Sequence, residues 1–152
     1  MNIIEHITNE QRTDQKIYFI YGDEEISENI LSDLLDAIDD DELKFVPETL
    51  IKNYGDDDKS GHQDFPLYNI KDSKYLVVTG VTQYNNFDLW FIKSLVGGDG
   101  YFCNFCKGIV YTHPPKLIIF CDNDPTDYLG GLEEHDRAFL RRTKVVENGI
   151  LL

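Results

Sequence analysis

Gly22, Ser27, Glu28 and Asn29 stand at the spacing of a phosphate-binding loop. In G-x-x-x-x-G-K-[ST], backbone amides, a lysine and a hydroxyl hold a phosphate and its magnesium. Here the second glycine falls on Ser27, the lysine on Glu28 and the hydroxyl on Asn29, with Asp23, Glu24 and Glu25 just before them. A helix N-terminus attracts phosphate through its dipole and free amides, but these carboxylates already occupy that field and repel a triphosphate. The same residues also read as an ordinary acid-capped helix, since acids in a first turn stabilise it. Cys103, Cys106, His113 and Cys121 form a second constellation, three thiols and an imidazole of the kinds that zinc accepts. Structural zinc sites usually bring two paired knuckles, and this chain has a single C-x-x-C in an aromatic, strand-like stretch where cysteine packs as a small hydrophobe. No metal is expected there, and no spacing specifies cysteine–histidine catalysis. Arg137, Arg141, Arg142 and Lys144 make the only cationic cluster, placed either for an anionic partner or to pair with the chain's own surplus acids.

The elements that position these groups follow from periodicity. Lys16 to Tyr21 is mostly apolar and reads as a central strand ending at Gly22. From Glu24 to Asp40, Ile26, Ile30, Leu31, Leu34, Leu35 and Ile38 form one apolar helical stripe. Lys44 to Val46 is a short strand stopped by Pro47, and Lys74 to Val81 ("KYLVVTGV") is the clearest strand. Phe87 to Leu95 reads as a helix terminated by "GGDG", and Tyr101 to Tyr111 as a hairpin turning at "KG". "KLIIFC" (Lys116 to Cys121) is a buried strand followed by the turn "DNDP". A short helix near Glu133 to Arg141 and a strand from Thr143 to Glu147 end the chain. Strands alternating with helices give an α/β domain around a mostly parallel sheet.

Composition limits the partners. At 152 residues, 41% hydrophobic and 12% aromatic, one ordered domain spanning residues 1–152 is expected. The formal charge is −14, with fourteen carboxylates against Lys44 and Lys52 between Asp23 and Asp58. Such a field repels nucleic acid and anionic membranes and favours basic partners, or else serves solubility. No apolar run nears the roughly 20 residues of a membrane span. The N-terminus lacks the basic start and apolar core of a signal peptide, and three cysteines fit reduced thiols. An intracellular protein is expected.

Three segments, "FIKSLVGGDGYF", "PPKLIIFCDNDP" and "EEHDRAFLRRTKVV", occur in the order and spacing of viral superfamily 3 helicases. The chain most resembles the poxvirus-type primase-helicases, which carry "iK…l.GGD", a strand ending in a sensor asparagine before proline, and "D.a..RR..v". The likeness spans Lys16 to Val146 and is specific from Phe91 onward. It implies an AAA+-like, P-loop-type sheet flanked by helices, with a hairpin before the sensor strand. In active relatives the fold forms a hexameric ring that hydrolyses ATP between subunits and translocates on DNA.

Position by position, the resemblance implies a lost engine. Glu28 replaces the loop lysine, and Val81 stands where the family's metal-side glutamate belongs. The sensor asparagine matches Asp122, or Asn123 after a one-residue slip. Asn104 takes the place of a DNA-contacting arginine, leaving Lys107 as the only cation from Gly97 to Pro115. Direct nucleic-acid binding is therefore not expected, because each phosphate contact wants a positive partner. The retained arginines match those that reach a neighbour's phosphates. The expected protein is catalytically inactive, takes no cofactor, and binds a protein partner such as a homologous viral replication helicase. Two alternatives stay open: an acidic mimic of DNA that occupies a DNA-binding protein, and a weak ATP-dependent helicase fragment.

Overall fold

A computed structural model describes residues 2–9, 16–47, 73–81, 92, 95–96, 100–103, 108–111, 115–125 and 142–152. Its main body is a six-stranded sheet built on β1 (Ile17–Tyr21), whose five residues are all buried. Beside it lie β6 (Lys116–Cys121) and β7 (Thr143–Glu147), both parallel to it. β3 (Tyr75–Val81) pairs with β6, and β2 (Leu43–Phe45) pairs with β3, again in parallel. β8 (Ile150–Leu151) closes the other edge antiparallel to β7, giving the order β2-β3-β6-β1-β7-β8. Near-continuous apolar runs are what strands covered on both faces require, and that is why β1, β3 and β6 occupy the middle. β4 (Gly100–Cys103) and β5 (Gly108–Tyr111) form a separate antiparallel pair before β6, where the hairpin was expected.

Both faces of the sheet are buried. On one, Tyr18, Ile20, Val77, Ile118, Phe120 and Val146 pack with Ile30, Leu34 and Ile38 of α2 (Glu24–Ala37) and Ile7 of α1 (Ile3–Thr8). On the other, Ile17, Phe19, Leu76, Val78, Leu117 and Ile119 are wholly inaccessible. Each such side chain contributes about 1.5–3 kcal/mol by leaving water.

The structure amends several boundaries. α2 stops at Ala37 and not Asp40, because Ile38 turns extended, with Asp36, Asp39, Asp40 and Asp41 crowding the negative end of the helix dipole. Ile26 and Leu35 fall outside the buried stripe and are exposed, while Ile30, Leu34 and Ile38 face the sheet. β2 begins at Leu43, one residue earlier than its pattern placed it. Of the expected helix from Phe87 to Leu95, Ile92 and Leu95 are helical and buried, and the rest lies outside the described residues. The expected helix from Glu133 to Arg141 lies wholly outside them.

Two elements have no counterpart in the sequence reading. α1 is capped by Asn2, whose Oδ1 accepts the Glu5 N–H at 2.8 Å. β8 is reached through Asn148 and Gly149, both at positive φ (48° and 81°), the turn that matches the twist of a two-residue hairpin. No helix among the described residues is long and apolar enough to cross a membrane.

Candidate functional site

The carboxyl ends of β1, β3 and β6 open into a cleft of about 570 Å³. In open parallel sheets this is the end where ligands bind. Three local features shape it.

The first is the turn from β1 into α2, which consists of Gly22 and Asp23 alone. Ser27, Glu28 and Asn29 therefore lie in the first two turns of the helix and not in a loop that could encircle a phosphate. Ser27 and Glu28 line the cleft with Glu24 and Leu31, and Asn29 does not. Three amides of this turn are already engaged. Asp23 N–H donates to Asn148 Oδ1 at 2.7 Å, Ile26 N–H to Asp23 Oδ1 at 3.1 Å, and Ser27 N–H to Asp23 O at 3.0 Å. Asn148 in turn donates its own N–H to Tyr21 O at 3.1 Å, so the β7–β8 turn is stapled onto the β1–α2 turn.

The second feature is a bulge in β3. Three steps from Val78 to Val81 oppose two from Ile119 to Cys121, and Gly80 absorbs the extra residue at φ +71°. Thr79 and Gly80 are lifted into the cleft, whereas Val81 is fully buried. Bulges re-aim side chains in this way. The cleft-facing positions on the strand are therefore Thr79 and Gly80, and neither is an acid.

The third is the end of β6. Phe120, Cys121 and Asp122 line the cleft, with Asp122 exposed. Asn123 is half-buried and is not among the lining residues. Tyr21 O–H donates to Asp124 Oδ2 at 3.3 Å. Burial, then the charges of Asp124 and Glu147, push the Tyr21 phenol up to about 12. Burial, then Asp122 and Asp124, push the Cys121 thiol up to about 12, and its S–H points at Ile20 O, 3.8 Å away. This end of the sheet therefore opposes any new negative charge.

Both groups are held neutral with a raised pKa, so their contribution to stability is complete below the unfolded value and is lost as pH climbs toward the folded one. For Cys121 that window runs from 9.0 to about 12, and for Tyr21 from 10.0 to about 12. The urea midpoint is expected to fall above pH 9, and Cys121→Ala to remove the first part of that fall. Peptide mapping after iodoacetamide at pH 8 should find Cys121 unmodified in the folded chain and modified in urea. Equal labelling in both states would contradict the half-buried, neutral thiol.

The remaining candidates that are described lie on other elements. Arg142 is half-buried at the amino ends of the strands, where its carbonyl accepts the Lys16 N–H at 2.9 Å. Burial and the nearby Arg142 charge lower the Lys16 pKa. Lys144 is half-buried on β7 in register with Tyr18. With a rise of about 3.3 Å per residue, the length of β7 sets Arg142 roughly 16 Å from the cleft end of the sheet. Cys103 lies on β4, and Asn104, Cys106, Lys107, His113, Arg137 and Arg141 lie outside the described residues. No three metal-binding side chains converge among the described residues. The sequence reading missed Tyr21, Thr79, Asp124 and Asn148. The Asn-Gly dipeptide after β7 was a legible hairpin signal, and the others carried none. No protein-family model matches the chain, and no similar curated protein is found.

Proposed function

We propose that this chain is a P-loop-type, AAA+-like domain of the superfamily 3 helicase kind that has kept its sheet and lost its nucleotide chemistry, and that it serves as an interaction partner of a homologous viral replication helicase. The strand order supports the fold assignment. β6 lies between β1 and β3, so the turn after β1, the cleft-facing end of β3 and the sensor-like Asp122 converge at one place, as a nucleotide site of that kind requires. The observation that carries the loss of function is the β1–α2 turn. Its two residues leave no phosphate cradle, its Asp23 amide is given to Asn148, and Glu28 occupies the lysine's place in the spacing. Thr79 and Gly80 offer no ligand acid for magnesium from β3. Arg142 and Lys144 lie at the far end of the strands, where they serve a neighbour and not the chain's own cleft. Arg137 and Arg141 extend that cluster in sequence.

Titration calorimetry and thermal shift with magnesium-ATP test the reading. No heat of binding and no shift are expected at millimolar nucleotide. A micromolar constant, which at a hundredfold excess would stabilise the fold by about 2.7 kcal/mol, would overturn it.

A further inference from the structure

We propose that Asn148 is a guarded deamidation site. The staple between the β7–β8 turn and the β1–α2 turn keeps its side-chain amide intact, and opening of that staple lets the amide convert irreversibly to aspartate or isoaspartate.

Of the chain's asparagines, only Asn148 is followed by glycine. The chemistry is intramolecular. The Gly149 backbone nitrogen attacks Asn148 Cγ, and the new N–Cγ bond closes a five-membered succinimide. The Cγ–Nδ2 bond breaks, and ammonia leaves with the Gly149 amide proton. Water then opens the ring, at Cγ to give aspartate or at the main-chain carbonyl to give isoaspartate. The sum is an amide and a water exchanged for a carboxylate and an ammonium ion. Glycine at the attacking position has no Cβ to hinder ring closure, and Asn148 is exposed to the water that completes the reaction.

The folded turn withholds this chemistry. Asn148 and Gly149, at φ 48° and 81°, connect Glu147 to Ile150, which pair across them. In a left-handed turn of this type the following nitrogen points away from the side chain. Gly149 N therefore cannot approach Cγ until residue 148 changes its ψ. Two hydrogen bonds oppose that change: Tyr21 O holds the Asn148 N–H at 3.1 Å, and the Asp23 N–H holds Oδ1 at 2.7 Å. Gly22 lets the side chain lie against the β1–α2 turn, because a Cβ there would overlap Oδ1. The products do not restore the staple. Isoaspartate adds a main-chain methylene to a two-residue turn, and aspartate sets a new carboxylate beside Asp23 and Glu147, at an end of the sheet that opposes negative charge.

The test incubates the full chain in mildly alkaline buffer and maps the tryptic peptide that follows Lys144, in which Asn148 is the sole asparagine. The amide-to-acid mass gain and the chromatographic splitting of aspartate from isoaspartate are the readouts. Asn148 is expected to convert at least about tenfold faster in urea than in the folded chain, because conversion follows the population of the open turn. Gly22→Ala, which displaces Asn148, should raise the folded-state rate about tenfold. Lys116→Met, which loosens α1 and leaves the staple in place, should leave that rate near the parent's, so the pair separates local opening from general destabilisation. Should Gly22→Ala fail to fold, Asp23→Pro removes the Oδ1 donor at a residue whose φ of −55° suits proline, and is expected to act in the same direction. Equal rates in the folded chain and in urea, an Asn148 that stays intact in urea, or equal acceleration by the staple variant and Lys116→Met would overturn the proposal.

Discussion

Gly22→Ala is expected to destabilise the domain by about 3 kcal/mol or more, the combined effect of backbone strain and overpacking. Gly22 sits at φ +114°, a conformation that an L side chain adopts only under strain. An added Cβ would overlap Asn148 Oδ1 and stand 2.9 Å from both its Cγ and its backbone nitrogen. Neither neighbour can retreat cheaply. Asn148 Oδ1 is held by the Asp23 N–H, and the Asn148 N–H is held by Tyr21 O. Moving Asn148 therefore breaks the staple between the β7–β8 turn and the start of α2. Urea unfolding provides the measurement, and for a chain of this size the loss corresponds to roughly 6–12 °C in Tm. Combining Asn148→Gly with Gly22→Ala removes the two side-chain contacts but leaves the strained φ and the backbone contact, so rescue should be partial. A loss below about 1 kcal/mol would mean that the turn relaxes freely and that the staple is loose.

That staple marks the limit of what the sequence could reveal. The strands were legible because a parallel strand covered on both faces must be apolar throughout, and "IYFIY" and "KLIIFC" are. α2 was legible from its stripe, but not its end, which depends on four aspartates and the lack of a basic last turn. Strand order was invisible, since nothing in a run of valines names its neighbour. Parity was the subtler trap at the site. One extra residue in a strand moves every later side chain to the opposite face. The bulge at Thr79 and Gly80 thereby transfers the cleft position away from Val81. The chemical conclusion survives the shift because neither register offers a carboxylate. Short elements failed for another reason. Six residues of α1 hold too few apolar repeats to register as a helix, and His6 reads as a surface residue until Tyr18 O–H is found 3.0 Å from its Nδ1.

Lys116→Met is expected to cost about 2–4 kcal/mol, the range for stranding buried polar groups once their charged partner is removed. Lysine at the first position of a strand reads as solvated, yet Lys116 is only 7% exposed. Its ammonium donates to the carbonyl of Ile7 and, at 3.2 Å, to that of Asn9. These are acceptors at the C-terminal end of α1 that no further helical turn satisfies, and a cation there also meets the negative end of the peptide dipoles. Methionine keeps the length and apolar stem of lysine and removes the donors, so the loss reports the bonds and not a cavity. Ile7, wholly buried against the sheet, holds α1 by apolar contact, and Lys116 holds it by polar contact beside the His6–Tyr18 pair. Ile7 and Lys116 hold the same element, so Ile7→Ala and Lys116→Met should be less than additive. Hydrogen exchange separates local from global loss. Amides of α1 should lose protection in Lys116→Met while β1 and β6 keep theirs. Stability within about 0.5 kcal/mol of the parent, with α1 still protected, would show that the buried ammonium does not hold this helix to the sheet.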